Sequence, residues 1–277
     1  MNTNMQNFER DTLKRVINAK ALWLTHVLGN ATLTVGFFYW TRIPDATGVQ
    51  FLLTVVSGFV IVFLLLWLHA ATFDYFGHPG KGTVKEALSY SVARVPAFLL
   101  WTIVFGLGLW LIGQVWEYYA QAGGWARHAL PGVVRPRVTP RSGISATYWL
   151  IWFFYFIFWP VVSFSFAAQV AMKGFRGFVD RASLLPLRQL RFWMIYLICF
   201  LVGAFGPYRI AWMTPVPTET STLNAQTGSM VVRLGFAYLL MVTAWLVLCA
   251  AILRAGEETR GVKASPEPEP INALPAV

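Results

Sequence analysis

Six long apolar stretches without a single Asp, Glu, Lys or Arg constrain this chain more than any other feature. They are Ala21–Trp40, Phe51–Ala71, Val95–Trp116, Tyr148–Met172, Phe192–Tyr208 and Leu234–Leu253. A hydrocarbon core about 30 Å thick takes roughly 20 residues of helix to cross. In lipid every backbone polar group must be bonded internally, which leaves helices or a closed barrel. A barrel needs short segments of alternating polarity, and Phe59-Val-Ile-Val-Phe-Leu-Leu-Leu-Trp67 does not alternate. The expected fold is an all-α integral membrane protein with six transmembrane helices. Composition agrees. Hydrophobic residues make up 57% and charged residues 12% of the chain, against about 45–50% and roughly 25% in soluble domains. Cys199 and Cys249 both lie in apolar runs and form neither a disulfide framework nor a CxxC metal motif.

The first stretch reads as a retained helix, because no small-x-small cleavage site follows Trp40. The chain then divides into a cytoplasmic amphipathic segment (1–20), a six-helix membrane domain (21–253) and a cytoplasmic tail (254–277). The tail is compositionally disordered, with its Ala264-Ser-Pro-Glu-Pro-Glu-Pro270 run. Pro160 and Gly206-Pro207 are expected to kink the fourth and fifth spans. Ser163, Ala167 and Ala171, and separately Gly106 and Gly113, are spaced to let helices approach closely.

Basic residues orient the bundle, since cytoplasmic loops carry excess Lys and Arg. Arg10, Lys14, Arg15 and Lys20, then Lys81, Lys85 and Arg94, then Lys173, Arg176, Arg181, Arg188 and Arg191, then Arg254, Arg260 and Lys263 fall on one side. Only Arg42, Arg127, Arg135, Arg137, Arg141, Arg209 and Arg233 fall on the other. Both termini are therefore expected in the cytoplasm. The net charge of +10 suits anionic lipid headgroups. Nucleic acid is not an expected partner, because the charge is spread over four segments with no recognition motif.

An amphipathic stretch precedes each odd-numbered span and is expected to lie in the membrane interface. Leu13, Val16, Ile17 and Ala21 share a helical face before the first. Val84, Ala87, Leu88, Ser91, Val92 and Val95 do so before the third, with Thr83 and Glu86 as a capping box. Phe175, Phe178, Val179 and Ala182 do so before the fifth. The pattern reads either as a threefold repeat or as the ordinary appearance of cytoplasmic linkers. Lys85-Glu-Ala-Leu88 with Arg94-Val-Pro-Ala-Phe-Leu-Leu-Trp101, and Asp180-Arg-Ala-Ser183 with Arg188-Gln-Leu-Arg-Phe-Trp193, carry a resemblance. Over most of residues 5–255 the chain resembles six-span bacterial membrane proteins, such as the membrane domain attached to some glycerophosphodiester phosphodiesterases and its stand-alone relatives. The resemblance implies a bacterial-type plasma (inner) membrane. It brings no catalytic residue, because no phosphodiesterase domain is present.

Motifs for chemistry are scarce. Gly77-His-Pro-Gly-Lys-Gly-Thr83 has the wrong spacing for a phosphate loop and follows a membrane helix rather than a strand. His69, Asp74 and His78 are possible metal ligands, but nine residues separate the histidines, which puts them on opposite faces of a continuous helix. No metal and no cofactor is expected. No Gly-x-Ser-x-Gly surrounds Ser163 or Ser165, and no catalytic residue is assigned. The outer loop Glu117–Thr147, with its Pro131–Gly143 run, reads as an irregular solvated connector.

Two groups of residues remain as candidates. His26 and Asn30 are polar, one turn apart, and inside the first span, where they can bond across to another helix. Lys173, Arg176, Arg181, Arg188 and Arg191, interleaved with Phe175, Phe178 and Phe192, are expected to bind lipid, with the aromatics inserted and the basic groups at anionic headgroups. The favoured function is a non-enzymatic accessory or scaffold protein engaging lipids or a membrane-protein partner. A transporter or permease for a small or lipidic solute is the alternative, and an intramembrane enzyme is the third reading.

Overall fold

A computed structural model describes residues 3–44, 46–78, 82–212 and 223–259. Among these residues there is no strand. The helices are α1 (Thr3–Asn18), α2 (Lys20–Trp40), α3 (Gly48–Gly77), α4 (Val84–Ser91), α5 (Val95–Glu117), α6 (Tyr119–Ala129), α7 (Pro140–Phe153), α8 (Trp159–Lys173), α9 (Leu190–Phe200), α10 (Gly206–Trp212) and α11 (Leu223–Thr259). Six segments are long and apolar enough to cross a membrane: Lys20–Trp40, Gly48–Gly77, Val84–Glu117, Pro140–Phe178, Leu190–Trp212 and Ala225–Thr259.

The kinks take a specific form. A π-helical turn at Phe154–Phe158 precedes Trp159-Pro160, and a second at Leu201–Phe205 precedes Gly206-Pro207. Proline lacks an amide donor and its ring clashes with the carbonyl four residues back. Widening the preceding turn relieves both problems and leaves the helix running.

Burial is concentrated at one end of the bundle. It covers Leu22 and His26 in α2, Ala70 to Phe76 in α3, Val95 to Trp101 in α5, Val161 to Ala171 in α8, Phe192 to Cys199 in α9 and Leu246 to Ala255 in α11. These are the starts of the odd-numbered crossings and the ends of the even-numbered ones, as an antiparallel bundle requires. At the opposite end Phe37, Phe51, Trp110, Trp149, Tyr208 and Val231 are all exposed. Lipid offers helices no hydrophobic reason to associate, so close packing depends on small side chains and polar links. Both are concentrated at the packed end. Ser163, Ala167 and Ala171 are buried there, as are Ala70, Ala71, Ala250 and Ala251. Gly106 faces open space, whereas Gly108 meets the Trp159 ring, whose Nε1 donates to the Phe105 carbonyl at 2.9 Å.

The amphipathic stretches resolve differently from one another. α4 starts at the Thr83/Glu86 capping box and runs through a 3-10 turn into α5. It buries Ala87 and Ser91, and Trp67 Nε1 donates to the Leu88 carbonyl at 2.7 Å. α1 turns a different face inward from the one expected. Phe8, Thr12, Val16 and Ala19 are buried, while Leu13 and Ile17 are exposed. The stretch before the fifth span is not an α-helix at all. Gly174, at φ +61°, ends α8, and 3-10 turns follow at Gly174–Phe178, Arg181–Leu184 and Pro186–Arg188. Gly177 lies so close to the Gln169 and Val170 backbone that a Cβ there would clash at 2.4 Å, which excludes a regular continuation.

Two further boundaries move. α11 continues six residues beyond Leu253 to Thr259, so the expected tail begins as ordered helix; residues 260–277, with Arg260 and Lys263, lie outside the described residues. The outer loop contains α6, packed against α7, with a 3-10 turn at Arg135–Arg137 between them.

Candidate functional site

The packed end carries the ion pairs. α1 and α11 meet there: Arg15 reaches Glu257 with both guanidinium nitrogens, at 2.8 and 3.3 Å, and Arg254 reaches Asp11 at 3.0 Å. Gln189 adds hydrogen bonds to the Ala255 carbonyl and Thr259 Oγ1, both 2.9 Å. The described N- and C-terminal helices thus lie on the same side of the bundle.

Asp74 is buried and pairs with Arg94, which also donates to the Ala171 carbonyl at 3.3 Å. This pair ties α3 to α5 and α8. His78 stands 4.0 Å from Asp74, while His69 lies further up α3 against other partners. The described residues hold no cluster of three or more potential metal ligands. Beside the pair is a cavity of about 260 Å³ lined by Tyr75, Thr83, Glu86 and Tyr90 among others. Gly77 is the last residue of α3 and Thr83 caps α4; Pro79, Gly80 and Lys81 lie outside the described residues.

The basic loop after α8 separates into two groups. Lys173 pairs with Asp180, and Arg191 faces Glu258 at 3.9 Å. Arg176, Arg181 and Arg188 are exposed and make no ion pair among the described residues. The interleaved aromatics divide as well. Phe192 is fully buried and Phe178 packs against the core, so neither is free to insert into lipid. The exposed apolar residues are instead Phe175, Val179, Leu184 and Leu190.

His26 and Asn30 form part of a continuous hydrogen-bonded chain. Thr72 Oγ1 donates to the Leu68 carbonyl at 3.0 Å, so it accepts from His26 Nε2 at 2.5 Å; His26 Nδ1 is then the acceptor for Asn30 Nδ2 at 3.2 Å. This donor order assigns the tautomer. His26 is fully buried, and both ring nitrogens are used: Nε2 joins α2 to α3 through Thr72, and Nδ1 is held by Asn30 of its own helix.

A cavity of about 450 Å³ lies beside that chain, between α2, α3, α8, α9 and α11. Asn30, Gly203 and Val242 line it, each near the middle of its crossing. His69 and Trp245 share the cavity, with ring centroids 4.9 Å apart, and His69 meets the His26 ring edge-on at 5.4 Å. The apolar stretch Phe51–Ala71 ends two residues after His69. The helix continues to Gly77, which carries His69 inward. Trp245 left no signal, being one of 13 tryptophans. A second groove of about 550 Å³, lined by Phe37, Trp40, Gly58 and Leu99 among others, is almost wholly apolar.

Six apolar crossings, packed tightly at one end and spread at the other, define the class: a multi-pass α-helical integral membrane protein. No family model, characterised protein or solved structure matches the chain.

Proposed function

We propose that the protein is a non-enzymatic accessory or scaffold protein of a bacterial-type plasma membrane that engages anionic lipid headgroups at its cytoplasmic face. The observation that carries this reading is the trio Arg176, Arg181 and Arg188, which makes no ion pair among the described residues and is exposed beside Phe175, Val179, Leu184 and Leu190. Guanidinium groups over an apolar rim suit a surface where headgroups meet acyl chains. At about 1 kcal/mol per basic group near an anionic leaflet, three such groups supply a few kcal/mol, weakened by salt. The excess of Lys and Arg on this side supports a cytoplasmic placement. The ion-paired helix ends offer a rigid platform for a membrane-protein partner on the same face.

The test is lipid retention by the purified protein, read by native mass spectrometry after equilibration with mixed phosphatidylglycerol and phosphatidylcholine. Preferential retention of phosphatidylglycerol, lost on replacing all three arginines with glutamine, supports the reading. Equal retention of both lipids by the wild-type protein rejects it.

A permease for a small or lipidic solute is the second reading. The observation in its favour is the mid-bundle cavity walled partly by the π-helical turn Leu201–Phe205, since such turns recur at functional sites. Solute movement in proteoliposomes that is blocked by filling the cavity from its exposed rim, as in Ala204→Phe, would establish it.

A further inference from the structure

The cavity between α2, α3, α8, α9 and α11 holds polar atoms that the fold does not use. His69 Nδ1 lies 2.7 Å from the Leu65 carbonyl. A carbonyl only accepts, so Nδ1 carries the proton and Nε2 is left as a bare acceptor. Nε2 has no hydrogen-bond partner among the described residues. Trp245 Nε1, a donor only, is buried and also lacks a partner among them. Asn30 spends one of its two amide N–H groups on His26 and keeps the other together with its carbonyl oxygen. The cavity wall therefore combines unused donors, on Trp245 and Asn30, with two unused acceptors.

The remaining lining restricts what can enter. No Asp, Glu, Lys or Arg lines the cavity, so a carboxylate, a phosphate or an ammonium group would be buried there without a counter-charge, at high cost. Phe164, Phe200, Met241 and Leu248 supply an apolar wall. Met241 and Ala204 are exposed at the rim, which opens the cavity sideways towards acyl chains. Its volume of about 450 Å³ is within the usual range of ligand sites, about 300–1,000 Å³.

From this we infer that the cavity is a binding site for an uncharged lipid bearing a single hydroxyl group. A hydroxyl is both donor and acceptor. It donates to His69 Nε2 or Asn30 Oδ1 and accepts from Trp245 Nε1, while the hydrocarbon part lies along the apolar wall. One such group satisfies both kinds of unused atom, which neither an ether nor a plain acyl chain can do. The site is separate from the exposed arginines, and failure of either proposal leaves the other standing.

Photolabelling tests this in the intact protein. The protein is placed in nanodiscs of dioleoylphosphatidylcholine, which has no hydroxyl, and exposed to a diazirine-bearing hexadecanol or to its methyl ether. The alcohol is expected to label peptides containing Asn30, Gly203 or Met241 saturably. The ether should label them about three- to tenfold less at equal mole fraction, the worth of one hydrogen bond. Trp245→Phe keeps the ring and removes the donor, so it should shrink the alcohol-to-ether ratio without shifting the melting temperature. Equal labelling of the wild-type protein by both probes overturns the proposal, because the site then reads hydrocarbon volume alone. Absence of saturable labelling at these peptides overturns it as well. The wild-type comparison does not depend on any variant folding.

Discussion

Arg15 and Glu257 stand 242 residues apart in sequence and are joined by two hydrogen bonds, so the first of the described helices is fastened to the last of them. The pair is partly buried, with Arg254 3.7 Å from the same carboxylate. Arg15→Ala should lower stability by about 1 kcal/mol, above the usual worth of exposed pairs because the contact is two-pronged and shared. Thermal unfolding in detergent should show a drop that shrinks at high salt. An unchanged melting temperature would mean that Phe8, Thr12 and Val16, with the Asp11–Arg254 pair, suffice to hold α1.

The Asp74–Arg94 pair should behave differently, because Asp74 is almost fully buried. Removing one partner strands a charge, and Arg94→Ala or Asp74→Ala should each cost about 3–5 kcal/mol. The double replacement Asp74→Leu with Arg94→Leu should cost much less than the sum of the singles. A double-mutant cycle with additive losses would show that the two groups do not depend on each other.

Thr72→Val removes the oxygen that takes the His26 proton and leaves a buried N–H without an acceptor. The expected loss is about 1–2 kcal/mol. Asn30→Ala should cost less, about 0.6 kcal/mol, because Asn30 is only half-buried and His26 keeps Thr72. Equal effects of the two substitutions, measured by thermal unfolding, would contradict the assigned donor order.

Gly177→Ala places a methyl group against the Gln169 and Val170 backbone, where nothing flexible can yield. A loss of about 1–3 kcal/mol is expected. Gly106→Ala, with open space around it, should be neutral or slightly stabilising as an exposed helical position. The contrast between the two melting temperatures is the measurement.

Orientation can be read chemically, since Cys199 and Cys249 are both buried and give little background. Lys14→Cys and Gly132→Cys introduce exposed thiols at opposite ends of the bundle. In intact cells a membrane-impermeant maleimide should label the second and spare the first. The reverse pattern would place the termini outside.

The six crossings were legible in the amino-acid sequence because a bilayer imposes a length and a polarity that single residues either satisfy or violate. Runs such as Phe59–Trp67 permit no other reading. The capping box at Thr83 and Glu86 was legible for the same local reason, as were the irregular turns beside Pro160 and Pro207. Nothing local determines which helix faces meet. The sequence could not show that Asp74 finds Arg94 rather than His69 and His78. Nor could it show that α1 buries Phe8 and Thr12 instead of Leu13 and Ile17. In lipid the alternative faces are equally apolar, so the choice falls to small side chains and polar contacts between segments far apart in the chain. The same holds for the mid-bundle cavity. His69, Trp245 and Asn30 belong to three different helices, and only their packing brings their unused donors and acceptors to a single place.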